Sequence, residues 1–250
     1  MSMSNFNSSG NFLNNIPPVT RHLLIINVLC WIACIALKKE GVDLLETFSL
    51  HFWGSSAFNP VQLVTYMFLH APFPNIEHIL FNMFTLYMFG RILEMYWGPK
   101  FFLFFYIMTG LGAGLIQELT WMYDLRPFLS QFENYTLPIY TEDYQMLYTE
   151  DDVMAFVDEG LSCFRTVGAS GAVFGILTAF AMKFPNQPIY LFFIPVPLKA
   201  KYVMIGTAAL ELLLGVRSVG DGIAHFAHLG GALVGLILVL WWNKFYVPNR

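Results

Sequence analysis

Six apolar segments, each close to the length that a helix needs to cross a lipid bilayer, dominate this chain of 250 residues. About 20 helical residues span the hydrocarbon core, where every backbone hydrogen bond must be satisfied within the protein. Hydrophobic residues make up 56% of the chain and charged residues only 12%, about half the charged fraction of a soluble domain. The sequence therefore predicts an all-α, polytopic membrane protein. The predicted spans cover residues 22–37, 76–97, 101–119, 167–184, 202–216 and 223–242.

The segments between the spans define the predicted domain organisation. Residues 1–20 are expected to be a disordered cytoplasmic tail without the features of a signal peptide, residues 21–245 a membrane domain, and residues 246–250 a C-terminal tail. Residues 120–166 form a polar outer-loop insertion that is too poor in apolar residues for a core of its own, with room for one or two short helices. Two apolar pieces, 58–70 and 189–198, are short or contain proline and are predicted to be membrane-surface loops.

Orientation follows from the distribution of lysine and arginine, which are enriched in cytoplasmic loops. With the N-terminus inside, eight of the 13 basic residues face the cytoplasm and five face the outside. We therefore predict that both termini are cytoplasmic. The net charge is −4 and the basic residues form no stripe, so the chain is not expected to bind nucleic acid.

Strongly polar residues inside predicted spans are costly in a bilayer and are candidates for function. Each has a structural explanation when taken singly, such as a hydrogen bond between packed helices. These residues are His78 with Asn82 in the second span, Ser170 in the fourth, Glu211 in the fifth, and His225 with His228 in the sixth.

Three of these residues share a depth. In the predicted topology the second, fourth and sixth spans run in the same direction, and His78, Ser170 and His228 each lie within about two turns of the outer end. A single site explains a common depth better than three unrelated packing contacts do. Glu211 lies in the outer half of its span, where we expect a structural or gating hydrogen bond, and His225 is expected to be a structural neighbour.

Paired glycines predict how two of these spans meet. Gly171 and Gly175 form a GxxxG pair beside Ser170, and Gly231 and Gly235 form another just after the histidines. Such pairs allow helix backbones to approach closely, which a serine and an imidazole within about 3 Å of each other require. Valine at either glycine of the second pair is expected to abolish activity without preventing insertion. The fourth span is also short, which leaves a recess for water above the serine.

Three motifs resemble those of the rhomboid family of intramembrane proteases. HILFN lies on the second span, GASG (which begins at Gly168) opens the fourth, and AHLGG followed by GxxxG lies on the sixth. The resemblance covers about residues 58–242 and implies a six-transmembrane-helix rhomboid-like bundle.

The resemblance also implies an activity and a set of roles. Ser170 would be the nucleophile and His228 the base, a dyad without a third carboxylate. The Ser170 N–H and the side chains of His78 and Asn82 would form an oxyanion hole. Substrates would be transmembrane segments of other proteins within the lipid bilayer, with no metal or other cofactor, and the bacterial inner membrane would be the location.

The chain departs from the family pattern in two places. Many bacterial members carry tyrosine four residues after the serine, packed on the histidine, and here the residue is Phe174. An aromatic platform is retained but its hydroxyl is lost. Some relatives have Trp-Arg in the first outer loop where this chain has Val61 and Gln62, so nothing about lipid contacts of that loop is carried over.

Other function classes fit the sequence less well. An inactive relative that binds membrane clients would keep the bundle, but it would not need both Ser170 and His228. A transporter would place polar groups near the midplane and often carries repeats. An aspartyl protease would need aspartates inside spans, whereas Asp124 and Asp221 lie outside the predicted spans. A zinc site on the histidines has no carboxylate close by in sequence, and HExxH is absent.

Overall fold

A computed structural model confirms the all-α membrane fold. It describes residues 15–132, 139–140, 146–148, 150–190, 196–217 and 223–246. The helices in these ranges are, in chain order, α1 (Pro18–Lys39), α2 (Leu44–Phe48), α3 (Gln62–Thr65), α4 (Ile76–Thr85), α5 (Arg91–Trp97), α6 (Pro99–Asp124), α7 (Arg126–Phe132), α8 (Glu150–Ser162), α9 (Ser170–Lys183), α10 (Ala200–Arg217) and α11 (His225–Tyr246).

Short irregular turns and strands complete the described fold. A 3₁₀ turn (Tyr66–Phe68) follows α3, and a π-helical turn (Leu86–Gly90) joins α4 to α5. The strands are β1 (Leu50–His51), β2 (Ile139–Tyr140), β3 (Met146–Tyr148), β4 (Arg165–Thr166), β5 (Pro188–Ile189) and β6 (Leu198–Lys199). They pair antiparallel as β1 with β4, β2 with β3 and β5 with β6.

The six predicted spans correspond to α1, the continuous α4–α5 segment, α6, α9, α10 and α11. Within the described residues, α1, α6 and α11 are long and apolar enough to cross a membrane by themselves, and α9 is a shorter apolar helix. At 14 residues, α9 is about 21 Å long, less than the roughly 30 Å of a hydrocarbon core. The prediction of a short fourth span is therefore confirmed.

A buried carboxylate sets the start of α1. Glu94, 2% exposed, accepts hydrogen bonds from Val19 N at 2.9 Å and from Thr20 N and Thr20 Oγ1, both at 2.7 Å. These donors belong to the first turn of the helix, whose N–H groups have no partner within the helix. The carboxylate satisfies the first turn of α1, which begins at Pro18, within the last residues of the segment predicted as the N-terminal tail.

Helix α9 lies between α6 and α11 because small residues line both contacts. A Cβ on Gly171 would lie 2.4 Å from the Ala113 side chain of α6, and one on Gly175 would lie 2.6 Å from Thr109 of the same helix. These distances are far below van der Waals contact, so only glycine fits at either position. The fourth span is thereby enclosed at the centre of the bundle.

Neither apolar piece predicted as a surface loop forms a long helix in the described residues. Residues 58–70 contain α3 and the 3₁₀ turn, and the amide of Gln62, 2% exposed, organises this loop. Its Oε1 accepts from the backbone of His51 and Asn59, and its Nε2 donates to the carbonyls of Thr47 and Ala57. Residues 189–198 begin and end in the β5–β6 pair, and residues 191–195 lie outside the described ranges.

The polar insertion at 120–166 docks on the first loop through α8. The carboxylate of Asp158 accepts from Ser56 N at 2.7 Å and from Ser56 Oγ at 2.5 Å. These hydrogen bonds hold the pKa of the Asp158 carboxyl below its usual range. Strand β4 then pairs with β1 and leads the chain into α9. The insertion therefore contributes to the frame that positions the start of α9.

Removal of the Glu94 carboxylate should destabilise the bundle. In Glu94→Ala three donors at the start of α1 lose their partner inside the protein, and each unsatisfied buried group costs about 1–3 kcal/mol. We expect a clear fall in the apparent Tm of the purified protein in detergent. Glu40→Ala, at the exposed opposite end of α1, is the matched control and should leave Tm unchanged. Equal Tm values for the two variants would contradict this role of Glu94.

Candidate active site

Ser170 is the first residue of α9, and its approach depends on a glycine. Gly168 has φ +132°, a conformation that side chains rarely adopt, and its N–H donates to the Tyr66 carbonyl at 2.9 Å. A Cβ on Gly168 would lie 2.8 Å from His78 Nε2 and 3.5 Å from Ser170 Oγ. The glycine thus permits the turn and keeps open the space between these two polar groups.

His228 lies within hydrogen-bond reach of Ser170. Its Nε2 is 2.8 Å from Ser170 Oγ, and its side chain is 12% exposed. The imidazole stacks on Phe174, with ring centroids 4.4 Å apart and an angle of 4° between the planes. The structure therefore places the aromatic platform on the histidine, and the phenyl ring offers no hydroxyl to it.

His78 and Asn82 line the same cavity as Ser170 and His228, which has a volume of about 530 Å³. The Ala71 N–H donates to His78 Nδ1 at 3.2 Å. In the neutral imidazole the proton then resides on Nε2, the nitrogen nearest to Gly168. Asn82 Nδ2 donates one hydrogen to the His78 carbonyl at 2.8 Å, and its second N–H remains for a ligand.

The paired glycines bring the backbones of α9 and α11 into contact. A Cβ on Gly231 would lie 1.9 Å from the Gly171 carbonyl oxygen, and one on Gly235 would lie 2.9 Å from the Gly175 Cα. No side chain larger than hydrogen fits between the two helices at these points. This contact fixes the separation of the helices that carry Ser170 and His228.

Glu211 reaches the same histidines from α10. Its Oε2 is 2.7 Å from His225 Nδ1 and 3.0 Å from His228 Nδ1. The side chains of Glu211 and His225 are 13% and 7% exposed. Sequence spacing alone did not pair these residues, since 14 positions separate Glu211 from His225. The sequence could have indicated this contact through membrane depth, because Glu211 lies in the half of its span that adjoins the start of α11.

The same three residues resemble a metal site in composition. The ligand atoms of Glu211, His225 and His228 all lie within 4.8 Å of one another, and two histidines with a carboxylate suit zinc. Tetrahedral zinc at its usual bond lengths would separate its ligand atoms by about 3.3 Å. The observed contacts of 2.7 and 3.0 Å are shorter, so they fit shared protons better than a shared ion.

Comparison with known proteins identifies a family. The Rhomboid domain profile matches residues 57–244. Rhomboid-like protein 11, chloroplastic, of Arabidopsis thaliana is 30% identical over 89% of this chain and 65% of its own length. Rhomboid protease AarA of Providencia stuartii is 27% identical over 74% of this chain and 56% of its own length. Rhomboid protein 1, mitochondrial, of Saccharomyces cerevisiae is 33% identical over 34% of this chain and 24% of its own length.

Each of these matches covers less than two thirds of the relative's own length. The relatives are chloroplastic, mitochondrial and bacterial proteins by name or organism. The domain match and the long apolar helices establish that the chain is an integral membrane protein. They do not single out a bacterial membrane, so the compartment and the cytoplasmic location of the termini stay predictions.

The glycine contact between α9 and α11 can be tested by its stability effect. Gly231→Val places a branched side chain on the Gly171 carbonyl, so the helices must separate. The free energy of unfolding should fall by about 1–3 kcal/mol or more, the usual cost of overpacking. We expect a lower apparent Tm in detergent with normal membrane insertion. Gly206→Val on α10, where a Cβ meets nothing within 4 Å, is the control. A Tm equal to that of Gly206→Val would contradict the close contact.

Proposed function

The chain belongs to the rhomboid family, and from this premise we propose that it is an intramembrane serine endopeptidase with Ser170 as nucleophile and His228 as general base. The observation that supports the proposal most directly is the 2.8 Å contact between His228 Nε2 and Ser170 Oγ. A base within this distance can remove the hydroxyl proton as the oxygen attacks. The bacterial relative whose name states a protease adds support from the family.

In the first step Ser170 Oγ would attack the carbonyl carbon of a peptide bond while His228 Nε2 takes the hydroxyl proton. The carbonyl oxygen becomes an oxyanion on a tetrahedral carbon. When the C–N bond breaks, the proton on Nε2 moves to the leaving amine and an acyl-enzyme remains on Oγ. Water then repeats the sequence with His228 as base, and Ser170 is regenerated.

Three donors would stabilise the oxyanion. Ser170 N–H belongs to the first turn of α9, where backbone N–H groups and the helix dipole favour an anion. The Nε2–H of His78 and the second N–H of Asn82 border the same cavity. One such donor can lower the barrier by roughly 3 kcal/mol.

The proposed substrates are transmembrane segments of other membrane proteins. The site lies at the end of a helix too short to cross the hydrocarbon core, so water can reach it from one face of the membrane. A helical substrate must expose a peptide bond before Ser170 can attack, because helical carbonyls are hydrogen-bonded and sterically covered. Helix-destabilising residues near the scissile bond should therefore favour cleavage. The domain limits, 21–245 with the insertion at 120–166, remain part of this proposal.

An inactive relative that only binds clients is the second candidate. Such a protein would keep the bundle but would have no need for a serine and an imidazole in hydrogen-bond contact beside a cavity with further donors. The arrangement of Ser170, His228, His78 and Asn82 therefore favours catalysis.

Loss of either proposed catalytic group should abolish cleavage. We expect the purified protein in detergent to cut a transmembrane reporter substrate that carries helix-destabilising residues. Ser170→Ala and His228→Ala should each lower the rate by at least about 10³-fold, as in other serine proteases. Ser130→Ala, an exposed serine of α7, should cleave normally. Persistent cleavage by Ser170→Ala would refute the assignment, and an inactive wild type on several substrates would favour the client-binding relative.

The oxyanion donors should affect kcat more than KM. Removal of one donor typically costs about 10²–10³ in kcat, because the charge they stabilise exists only in the transition state. We expect Asn82→Ala and His78→Ala to lower kcat in this range with KM nearly unchanged and Tm close to wild type. Steady-state kinetics on the same reporter gives both values. A rise in KM with kcat intact would assign these residues to substrate binding instead.

A further inference from the structure

A third side chain continues the chain of contacts behind the proposed base. Ser170 Oγ lies 2.8 Å from His228 Nε2, and His228 Nδ1 lies 3.0 Å from Glu211 Oε2. We propose that Glu211 is a positioning residue that orients His228 and stabilises its protonated form, so the site works as a serine–histidine–glutamate triad rather than a dyad. This inference rests on the proposed protease function.

The tautomer required by the chemistry places the ring proton on Nδ1, the nitrogen that lies 3.0 Å from the Glu211 carboxylate. To act as base toward Ser170, His228 must present a lone pair on Nε2, so its single ring proton resides on Nδ1. The atom that faces Nδ1 is Glu211 Oε2, an acceptor. The angle of approach lies outside that of a well-formed hydrogen bond, so the attraction in this state is chiefly electrostatic. Catalytic hydrogen bonds often tighten when substrate is bound.

Burial makes the charge of Glu211 matter. The side chains of His228 and Glu211 are only 12% and 13% exposed, and charges attract more strongly where water is excluded. When His228 takes the proton from Ser170, the Oγ–H bond breaks, an Nε2–H bond forms and the ring becomes an imidazolium. An ionised Glu211 would lower the energy of that cation, as the aspartate does in soluble serine proteases.

His225 fixes the carboxylate in place. Its Nδ1 is 2.7 Å from the same Oε2, and it lies three residues before His228 on the same face of α11. The first turn of α11 also favours a negative charge through its dipole. The oxygen of Glu211 is thus held by one histidine while it faces the other.

Phe174, which stacks on the face of the His228 ring, does not fix the rotation of that ring within its own plane. The ring centroids of Phe174 and His228 lie 4.4 Å apart. This stacking restrains tilting of the imidazole but leaves it free to rotate within its own plane. A phenyl ring has no polar atom to fix that rotation. A carboxylate at Nδ1 does so, because it favours the orientation that points Nε2 at Ser170.

The test compares the purified full chain with Glu211→Gln, Glu211→Ala and a control. Glutamine keeps an acceptor oxygen and the shape but removes the charge. Glu118→Gln on α6 is the matched control, because Glu118 is another buried carboxylate and accepts from Trp53 N at 2.9 Å. We expect Glu211→Gln to lower kcat on the transmembrane reporter by about 10–100-fold, less than the roughly 10⁴-fold loss in a soluble triad, because the contact with His228 is not a well-formed hydrogen bond. KM and Tm should stay near wild type, and Glu211→Ala should lose more activity than Glu211→Gln.

A purely structural link between α10 and α11 would give a different pattern. It would lower Tm together with kcat in Glu211→Gln, or leave kcat within twofold of wild type, and either result would overturn the proposal. A metal role would appear as loss of activity with a chelator and recovery with zinc alone, which would also overturn it.

Two further readouts separate this proposal from the proposed function. Cleavage by wild type but not by Ser170→Ala establishes the protease, after which an unaltered Glu211→Gln refutes only the triad. Proton NMR of the histidine rings reports the contact without any turnover. The Nδ1–H signal of His228, recorded in Ser170→Ala, should move upfield when Glu211→Gln is added, because the charge that faces this proton is removed. An unchanged signal would refute the contact even if the chain cleaves nothing.

Discussion

The contact between the backbones of α9 and α11 is the constraint on which the site depends. A Cβ on Gly231 would fall 1.9 Å from the Gly171 carbonyl, so these helices touch at a distance that only glycine permits. Within the membrane there is little hydrophobic drive for helices to associate, and close packing of this kind supplies the attraction instead. Ser170 precedes the contact on one helix and His228 precedes it on the other. Their 2.8 Å separation is therefore a consequence of how the helices pack.

The proposed hydrolysis inside a membrane would need water where the surroundings exclude it, and the shortness of α9 would leave room for that water. The helix has 14 residues, too few for the hydrocarbon core, and the cavity lined by Ser170 lies at its N-terminal end. The first loop and the insertion meet above it through the β1–β4 pair and the contact of Ser56 with Asp158. In a largely enclosed cavity, hydrogen-bond donors stabilise a developing negative charge more strongly than they would in bulk water.

Much of this architecture follows from local sequence, and what does not follow has a physical reason. Span lengths and the glycine pairs could be predicted because apolar length and residue size act locally. The start of α1 could not, since it depends on Glu94, 74 positions away from Thr20. The pairing of Glu211 with the histidines was likewise missed, because antiparallel helices bring together residues that no motif links. The contact of α8 with the first loop spans 102 positions and also lies beyond local pattern.

The position of Glu211 on α10 has a consequence for how the base is controlled. Among its described residues α10 buries only Ala200 fully, so apolar packing holds this helix less firmly than it holds α9. A carboxylate within a membrane is costly unless it is paired, and here its partners are both histidines of α11. This polar contact is also the one that faces the proposed base. Any displacement of α10 away from α11 would withdraw the carboxylate from His228 Nδ1, which couples the position of this helix to the readiness of Ser170.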